Sequence, residues 1–459
     1  MFLHLVHNCP MLPGIQLTEP IFLANEARRK ARNMKKCERL LLGSLFVATF
    51  VIGVAPAYGT TAGALDKTFG NGGIALTTLS NIGASVVLFP SNGDIVTVGG
   101  NANATPQGTA AIAVVRFLPN GALDTSFGTQ GVTNIGFADN PRDSTGAVSS
   151  ALQSDGKIVV LGLWQHEVQF SYVDLIGIAR LNENGTLDNT FGQGGKVTLN
   201  PPADFVNGTT TPTALLVQSD GKILVAASVI GCAIGCPTFT EFVRFNPNGT
   251  LDSIFGQDGA EVISVYGGSP DILAELTTGD LLTYSRNVIA QYSPSGALRP
   301  NVTGGVRLTT STKIRTGDLI QPDGKVLTSA TVSGRTFHDF MYQLTRFLPT
   351  SGVDWAFQNP PFASFVDDTV EPDDGKIVAV AQVPQAFTEM NVLRFNPDGS
   401  VDTSFGNSGS VLTAIPGGAA NPGLVTIQPD GKILVIGGFQ PTGSQNSVMI
   451  LARYMHMAH

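Results

Sequence analysis

The stretch Arg116-Phe117-Leu118-Pro119-Asn120-Gly121-Ala122-Leu123-Asp124-Thr125-Ser126-Phe127-Gly128 decides the fold, because the chain repeats it. The recurring parts are an Arg-aromatic pair, a short turn and Gly-x-Leu-Asp-x-x-Phe-Gly. They return at Arg180…Leu187-Asp188…Phe191-Gly192 and at Arg244…Leu251-Asp252…Phe255-Gly256. Further copies stand at Arg346…Val353-Asp354…Phe357 and Arg394…Val401-Asp402…Phe405-Gly406. A degenerate copy runs Gln291-Tyr292…Gly296-Ala297-Leu298-Arg299, with Val302 in the Phe position. Such self-similarity is the signature of a repeat architecture.

Working outward, a second box alternates with the first. It is an apolar run, then Gln-Pro/Ser-Asp-Gly-Lys, then another apolar run. Clear copies centre on Asp155-Gly156-Lys157, Asp220-Gly221-Lys222, Asp323-Gly324-Lys325, Asp374-Gly375-Lys376 and Asp430-Gly431-Lys432. Weaker ones are Asn92-Gly93-Asp94 and Thr278-Gly279-Asp280, which makes seven. Asp-Gly between two β-rich runs is a hairpin signal, and the expected connection is a type I′ turn. Each unit then gives four strands: one before Asp-Gly, one after it, one ending at Arg-aromatic, and one after Phe-Gly-x-x-Gly. Four-stranded units repeated in a ring are propeller blades. An open solenoid is the competing architecture.

The chain ends favour the ring. The first unit starts at Gly63-Ala64-Leu65-Asp66…Phe69-Gly70 with no Arg-aromatic strand before it. The chain closes on Ala452-Arg453-Tyr454, that strand without its Leu-Asp box. Together the halves complete one copy. The expectation is an all-β, seven-bladed β-propeller over residues 60–455, closed by pairing its N- and C-terminal segments, with 456–459 as a tail.

The Leu-Asp-x-x-Phe-Gly and Gln-Pro-Asp-Gly-Lys boxes resemble the bacterial delta-60 repeat, from about Leu65 to Tyr454. The units around Gly279 and Gly296 depart from that pattern. The resemblance implies export and a propeller fold, and it supplies no catalytic residues.

Arg and Asp lie eight residues apart in every complete copy: Arg116 and Asp124, Arg180 and Asp188, Arg244 and Asp252, Arg346 and Asp354, Arg394 and Asp402. The degenerate copy loses both, having Gln291 and Arg299. That joint loss predicts an ion pair, with Arg453 meeting Asp66 across the chain ends. The hairpin Asp and Gly residues read as turn chemistry. A calcium loop is the alternative, but it stacks several oxygen ligands within a dozen residues, and each hairpin offers one Asp.

Lys35, Lys36 and Arg39, the apolar run Leu40 to Val54 and Ala55-Pro56-Ala57 form a signal peptide over 34–57, with 1–33 as an upstream over-extension. A single membrane anchor is the competing reading. After residue 57, 20 Lys and Arg stand against 32 Asp and Glu (27 minus 7 and 35 minus 3). That acidic balance argues against nucleic acid, whose phosphates need clustered cations. Cys232 and Cys236 are the cysteines left after the leader, and in an exported chain they read as a local disulfide.

No nucleophile elbow, zinc-protease motif or Walker loop is present. Neither a metal nor a cofactor is expected. The reading is an exported, non-enzymatic binding or scaffolding propeller, monomeric, for a protein or glycan at the cell exterior. The alternative is a secreted hydrolase or lyase on carbohydrate. The candidate recognition residues are Trp164, His166, Phe170 and Tyr172, in one of the longest loops that differ between units.

Overall fold

The computed structural model describes residues 62–456, except 102–109, 138–142, 169–170, 200–208, 231–237, 264–271, 277, 286–287, 300–311, 316–317, 322, 324, 333–340, 349–352, 364, 371–373 and 383–387. Cys232, Cys236 and Phe170 lie outside the described residues, as does the leader. The described residues are all β, in antiparallel sheets with no helix.

Why these segments are strands follows from burial. Ile95–Asn101 and Ile223–Ile230 are runs of β-branched and small residues buried on both faces, the pattern of a strand packed between two layers. The first sheet comprises Val86–Leu88, Ile95–Asn101, Ala111–Phe117 and Val132–Ile135, hydrogen-bonded in that order. The same plan builds Ser144–Leu152, Ile158–Val168, Ser171–Leu181 and Lys196–Leu199, then Thr209–Val217, Ile223–Ile230, Thr238–Phe245 and Ala260–Ile263. It recurs in Phe365–Val370, Ile377–Gln382, Glu389–Phe395 and Ser410–Ala414. The last sheet takes Gly418–Ile427, Ile433–Pro441 and Val448–Tyr454 from the end of the chain and Ile74–Ser80 from its start. There Ile74 pairs with Ala452, and Leu65 bridges to Tyr454.

Among the described residues, two sheets depart from the expected four strands. Ile272–Glu275, Leu281–Ser285 and Val288–Tyr292 form a sheet of three. This is the degenerate copy, and the residues that follow its Leu298-Arg299, 300–311, lie outside the described residues. The following sheet has five, because Thr312–Arg315 precedes Asp318–Ile320, Val326–Val332, Met341–Phe347 and Phe362–Ala363.

The hairpin turn is a correction to the sequence reading. Gly156 N donates to Gln153 O at 3.0 Å, and Gln153 N to Lys157 O at 2.8 Å. The loop therefore has three residues rather than two, and Gly156 takes φ 80° while Asp155 stays off the positive side. The physical reason lies in the neighbours. Proline in Gln428-Pro429-Asp430-Gly431 has no N–H to bond across a two-residue Asp-Gly loop, and its φ near −65° suits the first central position of an ordinary turn instead. The Asp carboxylate accepts from the Lys amide two residues on, as in Lys157 N to Asp155 at 3.2 Å, which supports an ordinary turn at that Asp.

Alternate residues of each strand pack toward opposite neighbours. Val96 and Val114 of the first sheet join Ile158 and Val160 of the second. Ile176 and Ile178 join Val225 and Val243, and Phe242 joins Leu281 and Tyr292. Leu327 joins Ile377, Val378 joins Val435, and Leu434 and Met449 join Ile95 and Ala113. The last cluster links the final sheet to the first. Glu241, in Thr238–Phe245, is buried among these layers, and burial pushes its carboxyl up to about 7.

Candidate functional site

The repeated Arg and Asp form a clamp. Arg116 Nε donates to Asp124 at 2.7 Å, Arg180 to Asp188 at 2.8 Å and Arg244 to Asp252 at 2.7 Å. Arg346 donates to Asp354 at 2.9 Å, Arg394 to Asp402 at 2.7 Å and Arg453 to Asp66 at 2.9 Å. Each guanidinium also lies over the Phe of its own box, 4.4 to 4.8 Å from the ring centre. Cation and ring attract through the ring quadrupole.

The guanidinium then reaches forward. Its Nη1 donates to the carbonyl three residues past the equivalent position in the following copy. Arg116 meets Glu183 O, Arg180 meets Pro247 O, and Arg244 meets Pro294 O. Arg346 meets Pro397 O, Arg394 meets His456 O, and Arg453 meets Pro119 O. His456 thus fills, from the end of the chain, the place that a proline or Glu183 fills in the other described copies.

Sequence reasoning missed the hairpin lysine. Lys222 Nζ lies 3.1 Å from Asp252, and Lys376 Nζ 3.0 Å from Asp402. Burial alone would raise the Asp402 carboxyl, but hydrogen bonds from Ser404 and Lys376 and the Arg394 charge hold it down to about 2. Asp188 is held at about 2 against its burial by Thr190, Arg180 and Lys157. These carboxylates are saturated, which suits them to holding sheets together. In the degenerate copy the pair is exchanged, not simply lost. Asp280 occupies the lysine position, accepts from Gln291 Nε2 at 2.7 Å and pairs with Arg299 at 3.0 Å.

A different arrangement occupies the hairpin of Ile158–Val168 and Ser171–Leu181. Each strand has 11 residues, against 7 in Ile95–Asn101 and Ala111–Phe117. Aligned on Val96–Arg116 and Val159–Arg180, Trp164 matches Asn101, and the position equivalent to His166 lies outside the described residues. Both even-numbered side chains share one face. Asp143 receives them. Its Oδ2 accepts from Trp164 Nε1 at 3.0 Å and lies 2.9 Å from His166 Nδ1, and its Oδ1 accepts from Glu167 N at 2.9 Å.

The Asp143 side chain is 1% exposed and that of His166 is 37% exposed. Burial would raise the Asp143 carboxyl, but the Glu167 amide, His166 and Trp164 bring it below its ordinary value. The imidazole and indole centres lie 5.1 Å apart, tilted by 52°. On the other face Gln165 donates to Asp174, which also accepts from Thr211 of the next sheet at 2.9 Å. Of the four residues expected from sequence, Trp164 and His166 come together. Tyr172 pairs with Glu167 through the backbone, and its side chain lies outside the described residues, as does Phe170. Asp143 has no sequence signal, because it belongs to no repeated box.

An exposed tryptophan also marks the repeated boxes: Trp355, beside Asp354, is 81% exposed. Among the described residues no group of three or more His, Cys, Asp or Glu is arranged to hold a metal.

Comparison with known proteins gives one family match. Residues 91–127, 153–191, 218–255, 373–405 and 428–455 match the domain of unknown function (DUF5122) beta-propeller. No curated protein matches the chain. Among solved structures, a protein of unknown function from Dyadobacter fermentans is 12% identical, with a TM-score of 0.40 over 83% of this chain and 97% of that one. The GH93 alpha-L-arabinofuranosidase of Fusarium graminearum is 10% identical, with a TM-score of 0.38 over 86% and 97%. The WD40 domain of SCAP from fission yeast is 9% identical, with a TM-score of 0.31 over 83% and 94%. The five matched segments each span boxes read above from the sequence, and they are similar to β-propeller repeats.

Proposed function

We propose that this chain is an exported recognition propeller of the delta-60 type, its seven sheets closed into a ring, and that it binds its ligand at the long hairpin carrying Trp164 and His166. Closure is supported by the order of the clamps. Arg394 reaches the last copy, and Arg453 reaches the first. The same order holds in the apolar clusters, where the final sheet packs on the first. A ring fixes its loops on a rigid frame, and recognition concentrates on such loops.

One observation carries the choice of site. Two aromatic side chains, tied to a single buried carboxylate, stand together on the hairpin of Ile158–Val168 and Ser171–Leu181. A pre-ordered aromatic surface loses little conformational entropy on binding. The ligand is a protein or glycan of the cell exterior, reached after cleavage behind Ala57.

The test is a binding screen of the purified chain against glycans and envelope fractions. Trp164→Ala and Trp355→Ala are compared, both checked for folding by circular dichroism. Loss with Trp164→Ala alone supports the site. Loss with Trp355→Ala alone moves it to the side of the repeated boxes. Mass spectrometry of the exported protein should find its first residue near Tyr58, and an N-terminus retained at Met34 would favour an anchor.

A further inference from the structure

We propose that His166, oriented by Asp143, is a general base that hydrolyses an ester on a ligand held against Trp164. This rests on the reading above that ligand binds at the long hairpin.

The Asp143 carboxylate is an acceptor only, so the proton shared with His166 sits on Nδ1, which donates across 2.9 Å. That fixes the tautomer and leaves the lone pair on Nε2, in a side chain that is 37% exposed. A base held in its working orientation by a buried carboxylate is the recurring device of hydrolytic sites. The indole 5.1 Å away supplies an apolar wall and is fixed by the same oxygen.

The kind of bond follows from which groups are free. Glycoside cleavage uses two carboxylates facing one bond. Here the Asp143 oxygens are spent on Trp164, His166 and Glu167 N. Glu167 follows His166 in an extended strand and so projects from the other face. Ester hydrolysis asks less, since one group can take a proton and return it. His166 Nε2 takes a proton from water as the water oxygen bonds to the ester carbonyl carbon. The C=O π pair moves onto the carbonyl oxygen. When the C=O re-forms, the bond to the alcohol oxygen breaks, and the leaving alkoxide takes the proton from Nε2. One water and one ester give one acid and one alcohol, and the imidazole returns neutral. Asp143 stabilises the imidazolium between the two transfers.

The experiment uses the purified chain with 4-nitrophenyl acetate and with acetylated xylan. The rate on the small ester must exceed that of the urea-unfolded chain, because any exposed imidazole hydrolyses it slowly. The expected results are acetate release from both probes, and a loss of roughly 100-fold or more in kcat/KM for His166→Gln. Asp143→Asn should lower kcat and shift the pH profile. Should that variant misfold, His166→Gln carries the test. Trp164→Ala should raise KM for the polysaccharide. No hydrolysis by the wild type, or a fully active His166→Gln, overturns the proposal. Binding of deacetylated xylan without hydrolysis of the acetylated form leaves the recognition site standing and ends this inference. His166-dependent hydrolysis of the small ester without polysaccharide binding supports the base and removes the ligand reading.

Discussion

At the residue scale, charge is distributed by how well each group is paired. Arg394 is the most enclosed clamp cation, its side chain 2% exposed, and it is held by Asp402, Phe405 and the His456 carbonyl. Arg394→Met leaves Asp402 to Lys376 alone among its cations and removes the donor to the His456 carbonyl, and should cost up to about 3–5 kcal/mol. Arg299 is 48% exposed in its exchanged pair, so Arg299→Gln should cost about 0–1 kcal/mol. Urea unfolding of the two variants tests the contrast, and equal losses would contradict it. Glu241 gives the opposite case. Its carboxyl is raised from 4.5 to about 7 by burial. The folded chain therefore favours the protonated form. Its stability is fully present below about pH 4.5, falls as the pH rises to 7, and stays level above that. Glu241→Gln should be more stable than the wild type at pH 8, by up to about 3 kcal/mol. That advantage should vanish at pH 4 in thermal melts, and a gain equal at both pH values would be at odds with the burial argument.

At the element scale, most of the strand plan was legible because it is local and repeated. The strand after each Asp-Gly, the strand ending at Arg-aromatic and the strand after the Phe-Gly box could be placed from the boxes alone. The turn itself was misread. Asp-Gly serves two hairpin geometries, and the residue before Asp is the first central residue of the turn, a position that accepts proline. Ser154 occupies that position in the second sheet. Ser154→Pro should therefore stabilise by about 0.4–1 kcal/mol through the unfolded chain. Ser219→Pro should not, because the Ser219 amide donates to Glu275 at 2.7 Å. Calorimetric melting temperatures decide this, and a destabilising Ser154→Pro would mean the turn is wrongly assigned. The hairpin lysine was also within reach of the sequence. Lysine and the box Asp recur together in five copies, the first has Asp94 beside Arg116 instead, and Asp280 with Arg299 exchanges the signs. Asp143 was out of reach, because it stands 23 residues before His166 and in no box.

At the scale of the whole molecule, the clamps and the apolar clusters run from sheet to sheet in one direction, and both continue across the chain ends. The central claim is that the first and last segments complete one sheet. In the pairing of Ile74–Ser80 with Val448–Tyr454, Ser80 stands opposite Val448. Opposed residues of an antiparallel pair have Cα atoms about 4.5–5.5 Å apart, within disulfide reach. The most direct measurement is peptide mapping, under non-reducing conditions, of the oxidised Ser80→Cys/Val448→Cys variant. The account predicts an intramolecular cross-link joining the peptides around residues 80 and 448 in a monomeric protein. Free thiols at both positions, or cross-links only between molecules, would contradict it.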